Sequence, residues 1–294
     1  MTAQKEARLN PRMQVVDFII HLRWHYQVFI LSGCYLLGGL FYAGAPDWGM
    51  FLLQFLNVHL LLFGGATAFN SYWDKDTGRI GGLKHPPIMS GWMHQASLAL
   101  QFFGLMLAFL LGLPFTTVYL ASMLMFWLYS TPLAKWKGRP WLSMVAIGIS
   151  TGACSFLMGF IALGGSPGAF LVIPAAGCSL ILLSLYPVSQ IFQMEEDRER
   201  NYQTFAIQYG LKGIKTFFVL SYYPGMLIIS YSLREDNLFL GLVFLFVAAL
   251  AGSVIWFQLK KIKGTEADYD KVMRLKYLTS FAFVAFITLC LLVG

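Results

Sequence analysis

Charge is what this chain is short of. Of its 294 residues 12% are charged and only 14 are acidic, while 57% are hydrophobic. A soluble domain carries about 25% charged residues, so these side chains are too few to cover a water-exposed fold. The expectation is an integral membrane protein. Cysteine is also scarce: Cys34, Cys154, Cys178 and Cys290 each lie inside an apolar run, with no close pair in sequence. That spacing argues against a disulfide framework or a metal cluster and reads the thiols as small buried hydrophobes. Five histidines are scattered and are not read as a zinc site. Met1 to Arg12 is polar and basic, with no short apolar core before a small-residue cleavage site, so no cleavable signal peptide is expected.

What the chain has in quantity is long apolar runs. A spanning helix needs roughly 20 mostly apolar residues. Nine runs qualify, at about 24–44, 48–70, 96–113, 115–131, 141–163, 170–190, 213–233, 238–258 and 275–293. Before the first lies "PRMQVVDFIIHLR", residues 11–23, whose apolar positions suit a helix lying on the bilayer surface. The connections alternate between very short and longer basic ones. Twenty of the 21 Lys and Arg residues fall on one side of the resulting topology, and only Arg234 on the other. The positive-inside rule then places the N-terminus in the cytoplasm. The net charge of +7 is thereby read as topology and attraction to anionic lipid, not as a nucleic-acid surface.

The rare polar residues gather at three places on the basic side. At the end of the second run, "NSYWDKD" carries Asn70 and Asp74, spaced i, i+4 and so on one helix face. Asp76 can join them only if the helix ends near Asp74. After the sixth run, "YPVSQIFQMEEDRERN" sets Gln190, Gln193, Asp197 and Asn201 in one stripe on a regular helix, with Tyr186 a turn earlier; Glu195 and Glu196 then point away. After the fourth run, "YSTPLAKWKGRP" offers Tyr129, Lys135, Lys137 and Arg139. Carboxylates and amide oxygens suit Mg²⁺ bridging to phosphates, and lysine or arginine neutralises the remaining phosphate charge. Each cluster alone is ordinarily a helix cap or solvated loop; three on one side describe a candidate diphosphate site.

These three stretches resemble the UbiA superfamily of intramembrane prenyltransferases. That family shows Asn-x-x-x-Asp after its second helix, a Tyr-Ser-x-Pro loop with lysine after its fourth and a second acidic motif after its sixth. The likeness covers nearly the whole chain, so one domain over 1–294 is expected, with motif loops at about 70–95, 130–141 and 190–212. The resemblance implies an all-α membrane fold of nine transmembrane helices around a central cavity. It also implies Mg²⁺ at a cytoplasmic mouth holding an isoprenyl diphosphate. Carried over by position, Asn70, Asp74 and Asp197 are metal ligands, Lys137 with Arg139 and Lys135 contacts diphosphate, and Arg79 and Lys84 are further candidates. Tyr129 and Tyr186 are candidates for flanking a cation. The chain departs from the family at Gly78, where a second acid is usual, at Gln190, where an Asp usually leads, and at Asn201, where a last acid is common.

Three functions fit to different degrees. The first is transfer of a prenyl group to a hydrophobic or aromatic acceptor. The second is intramembrane cyclisation of the isoprenyl diphosphate without an acceptor. The third, a lipid carrier, is disfavoured because the acids cluster at one mouth and not at mid-bilayer. The expected setting is a lipid bilayer, of the bacterial inner-membrane type, with no nucleic-acid partner.

Overall fold

A computed structural model describes residues 11–75 and 78–293. Among the described residues the protein is helical throughout, with no strand beyond one isolated bridge between Ile80 and Leu83. Helix α1, Pro11–Leu22, packs Phe18 and Leu22 against Ala68 and Met93. It leaves Val15, Val16, Ile19 and Ile20 exposed, an apolar face suited to lie in a membrane interface. Arg23 then adopts the left-handed conformation, φ 49°. Residues 21 and 25 stand four apart, yet this break separates the two imidazoles. His21 Nε2 meets the Pro87 carbonyl at 2.8 Å, while His25 stacks on Tyr277.

Among the described residues, nine further helices follow. Helix α2 runs over 24–40 and α3 is Trp48–Asp74. Helices α4 and α5 are Gly91–Ala108 and Gly112–Ser130, α6 is Pro140–Ala162 and α7 is Ala169–Glu199. The last three are α8, Phe205–Asp236, α9, Leu238–Leu259, and α10, Tyr269–Val293. Polar side chains fix several starts. Asp47 accepts the Met50 N–H at 2.9 Å and Asn237 accepts the Leu240 N–H at 3.0 Å, satisfying amides that a helix start leaves without partners.

Nine spans are expected from the sequence, and among the described residues seven stretches are long and apolar enough to cross a membrane. Two differences account for the gap. The expected third and fourth spans lie in one stretch of 40 residues, Gly91–Ser130, too long for a single crossing at 1.5 Å per residue. It turns at Gly112, whose φ of +74° suits glycine. The expected first span, α2, is shorter than 24–44 and is interrupted by a turn at Ser32. Length and apolarity thus leave the count of nine crossings unconfirmed.

Packing arranges these helices around a cavity. At Gly38 of α2 an added Cβ would collide with the Phe156 carbonyl of α6, and at Gly159 of α6 one would collide with the Tyr35 carbonyl. The two backbones touch, as small residues allow between membrane helices. Helix α10 returns to pack along α2, bringing the last apolar run against the first. Large apolar side chains such as Phe103, Met106, Phe239, Phe246 and Leu250 face outward, where lipid, not water, is the compatible solvent.

Candidate active site

The cavity has two parts. The larger encloses about 580 Å³ and is walled mainly by apolar side chains, among them Leu37, Phe126, Leu182, Phe244 and Phe286. The smaller encloses about 170 Å³ and is polar, with Asp74, Lys137, Gln193, Asp197 and Arg200 in its wall. Arg23, Tyr26, Asn70, Tyr129 and Ser189 line both, so the two parts meet along those residues. We call them the chamber and the mouth.

The first polar cluster builds one side of the mouth. Helix α3 ends at Asp74 because Lys75 takes the left-handed conformation, φ 51°, while its N–H donates to the Ser71 carbonyl. Asn70 and Asp74 share a face, as their spacing predicts: Asn70 Nδ2 donates to Asp74 Oδ2 at 2.7 Å, and Ser130 Oγ donates to Asn70 Oδ1 at 3.0 Å. Asn70 is thereby oriented from both sides. Asp76 lies outside the described residues.

The basic loop contributes one cation. Lys137 is buried and forms an ion pair with Asp74, each side chain 9% exposed, and its ammonium lies over the Tyr202 ring, 5.0 Å from the centroid. Burial pushes the Lys137 ammonium down to about 7 and nearby Arg200 adds to that, whereas Asp197 and Glu196 pull it back up. The Asp74 carboxylate in direct contact pulls the same way as those acids. The ion pair with Asp74 keeps the Lys137 ammonium charged while paired. Lys135 and Arg139 flank it in sequence but are exposed and do not line the mouth. Alternation around the short helical turn Trp136–Gly138 turns only Lys137 inward.

The second acidic stretch departs from a regular helix. Residues Pro187–Gln193 form a 3₁₀ helix, followed by one α segment, Met194–Glu199. With three residues per turn, side chains at i and i+3 eclipse, which keeps Gln190 and Gln193 on the mouth side, and the α segment adds Asp197 to the wall. Glu196 does not line the mouth. A Cβ on Gly78 would lie 2.8 Å from Glu196 Oε2, so this carboxylate fills the space where the family's usual acid would project. Glu196 also pairs with Arg200 at 2.6 Å. At the far end the expectation fails for Asn201: the helix has ended, Asn201 sits at φ 57° and is exposed outside the mouth. Gln190 is buried, and its Oε1 accepts the Ala206 N–H at 3.1 Å, which anchors the start of α8.

The aromatic candidates stand at the junction. Tyr129 and Tyr186 hydroxyls are 3.1 Å apart; Tyr129 lines both parts and Tyr186 the chamber. Arg79 and Lys84 lie elsewhere. Arg79 donates to the Glu266 carbonyl at 3.0 Å, Lys84 pairs with Asp270 at 2.7 Å, and neither lines the mouth. Arg23, by contrast, counted in the sequence only toward topology. Its guanidinium donates to the carbonyls of Gly81 (3.0 Å) and Thr67 (3.3 Å) and to Ser71 Oγ (3.0 Å). The available signal was a lone arginine between an interfacial helix and a span.

Among the described residues no three His, Cys, Asp or Glu side chains gather as a metal site. The donor set of the mouth is two aspartates with amide oxygens. That suits Mg²⁺, which takes one or two protein carboxylates and fills its octahedron with water and substrate phosphate.

An all-helical membrane protein with a charged mouth over an apolar chamber is the class that these observations define. The chain belongs to the UbiA prenyltransferase family, whose model matches residues 31–291. A curated relative, the protoheme IX farnesyltransferase of Pyrobaculum neutrophilum, is 31% identical over 131 residues, 42% of this chain and 46% of that protein. The match therefore spans about half the relative's length. Among solved structures, a UbiA homolog from Archaeoglobus fulgidus bound to DMAPP and Mg²⁺ superposes with a TM-score of 0.72 at 13% identity, covering 95% of this chain and 100% of that one. A structure of digeranylgeranylglyceryl phosphate synthase gives 0.62 at 19% identity, covering 95% and 99%. At these identities the likeness establishes the fold.

Proposed function

We propose that the protein is a Mg²⁺-dependent intramembrane prenyltransferase acting on an isoprenyl diphosphate. One observation carries this reading: a charged mouth of about 170 Å³ opens into an apolar chamber of about 580 Å³ along shared walls. That shape matches a molecule with a diphosphate head and a hydrocarbon tail. The DMAPP and Mg²⁺ bound by the Archaeoglobus homolog support the assignment, as does the family.

In this reading Asp74, Asp197, Gln193 and the Asn70 carbonyl oxygen would hold the metal. When bound, Mg²⁺ neutralises diphosphate charge and makes it a better leaving group. Lys137 and Arg200 supply positive charge to the phosphate oxygens. Without substrate, Lys137 keeps Asp74 paired; substrate binding exchanges this contact, the lysine moving to phosphate as the aspartate is released. The allylic C–O bond then breaks and the diphosphate leaves with its electron pair. The Tyr129 and Tyr186 rings beside the junction offer π faces to the allylic cation. The acceptor nucleophile forms the new bond to the allylic carbon and passes its proton to the departed diphosphate. The basic bias of the connections supports a mouth on the cytoplasmic side.

The test is a mass-spectrometric product screen with C5 to C20 diphosphates and Mg²⁺, with and without membrane lipid extract. Prenylated acceptor appearing only with Mg²⁺ is the expected result. Cyclic terpenes formed without any acceptor would replace transfer by cyclisation, and intact diphosphate throughout would remove the enzyme reading.

A further inference from the structure

The mouth wall also holds a residue that lies beyond all three polar clusters. After the acidic segment the chain runs without helical structure through 202–204. It is pinned there to the basic loop: the Gln203 N–H donates to the Gly138 carbonyl at 3.0 Å, and the Tyr202 ring lies under the Lys137 ammonium. In extended chain, successive side chains point to opposite sides. Tyr202 and Thr204 accordingly line the mouth, while Gln203 between them is exposed.

Thr204 stands at the position that caps α8, where a threonine hydroxyl ordinarily accepts an amide of the first turn. Here it makes no such bond. The Ala206 N–H is taken instead by Gln190 Oε1 of α7, which leaves the threonine oxygen unused. Thr204 is 4% exposed, and among the described residues its Oγ1 has no hydrogen-bond partner. The helix terminus itself adds little, because α8 breaks at Gly210, φ 59°, soon after it starts at Phe205. A buried hydroxyl without a partner is costly. In the wall of a polar cavity, such a group is completed by what the cavity binds. Lys137 and Arg200 share that wall and draw anionic oxygens to it, and an O–H can donate to those oxygens.

We propose that Thr204 Oγ–H donates a hydrogen bond to the terminal phosphate of the isoprenyl diphosphate. This rests on the prenyltransferase reading and adds to it a residue that favours diphosphate over monophosphate. Thr204 lines the mouth and not the chamber, so it meets the end of the head group remote from the prenyl carbon. The contact needs neither metal nor carboxylate. As the allylic C–O bond breaks, the leaving diphosphate gains negative charge, and the same O–H then donates to a stronger acceptor.

Binding to the full-length protein in detergent tests this. The probes are geranyl diphosphate, geranyl monophosphate and inorganic diphosphate, each with Mg²⁺. Thr204→Val removes the hydroxyl at nearly constant shape, and Thr204→Ser keeps it. Thr204→Val should weaken geranyl diphosphate and inorganic diphosphate by about tenfold, the scale of one hydrogen bond to a charged group. Its affinity for geranyl monophosphate should not change, which also shows that the variant is folded. Thr204→Ser should bind all three probes as wild type does. Mn²⁺ binding without diphosphate, read by electron paramagnetic resonance, should be the same in the three proteins. Diphosphate binding that survives intact in Thr204→Val overturns the proposal. An equal loss for monophosphate and diphosphate also overturns it, as does weakened Mn²⁺ binding in Thr204→Val, which would make Thr204 a metal ligand. If wild type binds inorganic diphosphate but not geranyl diphosphate, the prenyltransferase reading fails, and inorganic diphosphate still decides the role of Thr204. If wild type binds no diphosphate at all, both fail.

Discussion

The mouth and the chamber share five wall residues and little else. One concentrates carboxylates, amides and cations in about 170 Å³; the other spreads apolar side chains around about 580 Å³ and, among the described residues, keeps positive charge without acid. The mouth is made by helix ends and loops, where backbone turns can aim polar groups. The chamber is made by helix middles, where only side-chain size and shape vary. Recognition of a head group and recognition of a tail are therefore encoded in different parts of the chain and should be separable by mutation.

The largest expected effect tests the mouth. Asp74→Asn should lower turnover by roughly a hundred- to a thousandfold, the scale on which a preorganised electrostatic group acts, and should remove Mg²⁺-dependent DMAPP binding. The fold should survive, since Asp74 ends its helix. A variant that turns over normally would detach the acids from the chemistry. Next comes the chamber. Cys34→Trp adds bulk to its wall and should reduce use of C20 relative to C10 diphosphate by about tenfold, a few methylenes' worth of apolar contact, without changing DMAPP binding. Equal loss for both lengths would mean that the two parts are not separable. A smaller effect is expected from Gln193→Asp, which adds an acid at the mouth. The Mg²⁺ concentration for half-maximal activity should fall a few-fold, because divalent-cation affinity follows ligand charge; an unchanged or higher requirement would take Gln193 out of the donor set.

The smallest effect concerns support from outside. His21 is held on the Pro87 carbonyl, and burial lowers its imidazole to about 4, with Arg23 lowering it further and the Pro87 contact opposing. The folded state therefore prefers the neutral ring. Its contribution to stability is complete above the unfolded value near 6.5 and declines as pH falls from there toward 4. Thermal unfolding should come a few degrees lower at pH 5 than at pH 7.5, and His21→Asn should remove that difference. An unchanged pH dependence would place the acid sensitivity elsewhere.

Much of the mouth is legible in the sequence where regular geometry holds. Asn70 and Asp74 are joined by their i, i+4 spacing, and Asp197 and Lys137 line the mouth as expected. The misses follow from backbone breaks that residue spacing does not announce. A 3₁₀ segment at Pro187–Gln193 changes the angular step before the acidic α segment, and Glu196 there lies against Gly78 outside the mouth wall. Left-handed turns at Arg23 and Asn201 bring the one in and send the other out. Lys135, Lys137 and Arg139 look equivalent as a basic cluster, yet a single helical turn selects one of them. The bilayer class is plain from composition alone. The number of crossings is not, because the first apolar run ends early as helix α2 and the third and fourth merge into one stretch that folds back at Gly112.

The bond from Lys276 to Tyr26 joins residues 250 positions apart, and Tyr269 and Glu266 reach back to Ile80 and Arg79 across 189 and 187. This has a consequence for biogenesis. As the chain leaves the ribosome, every mouth residue named above has been synthesised before α10 begins. The wall that α10 completes, with its lysine, comes last. Insertion of the final helix is thus the step that closes the ring and finishes the chamber, and a nascent chain stalled before it would carry a head-group mouth over a vestibule still open to lipid.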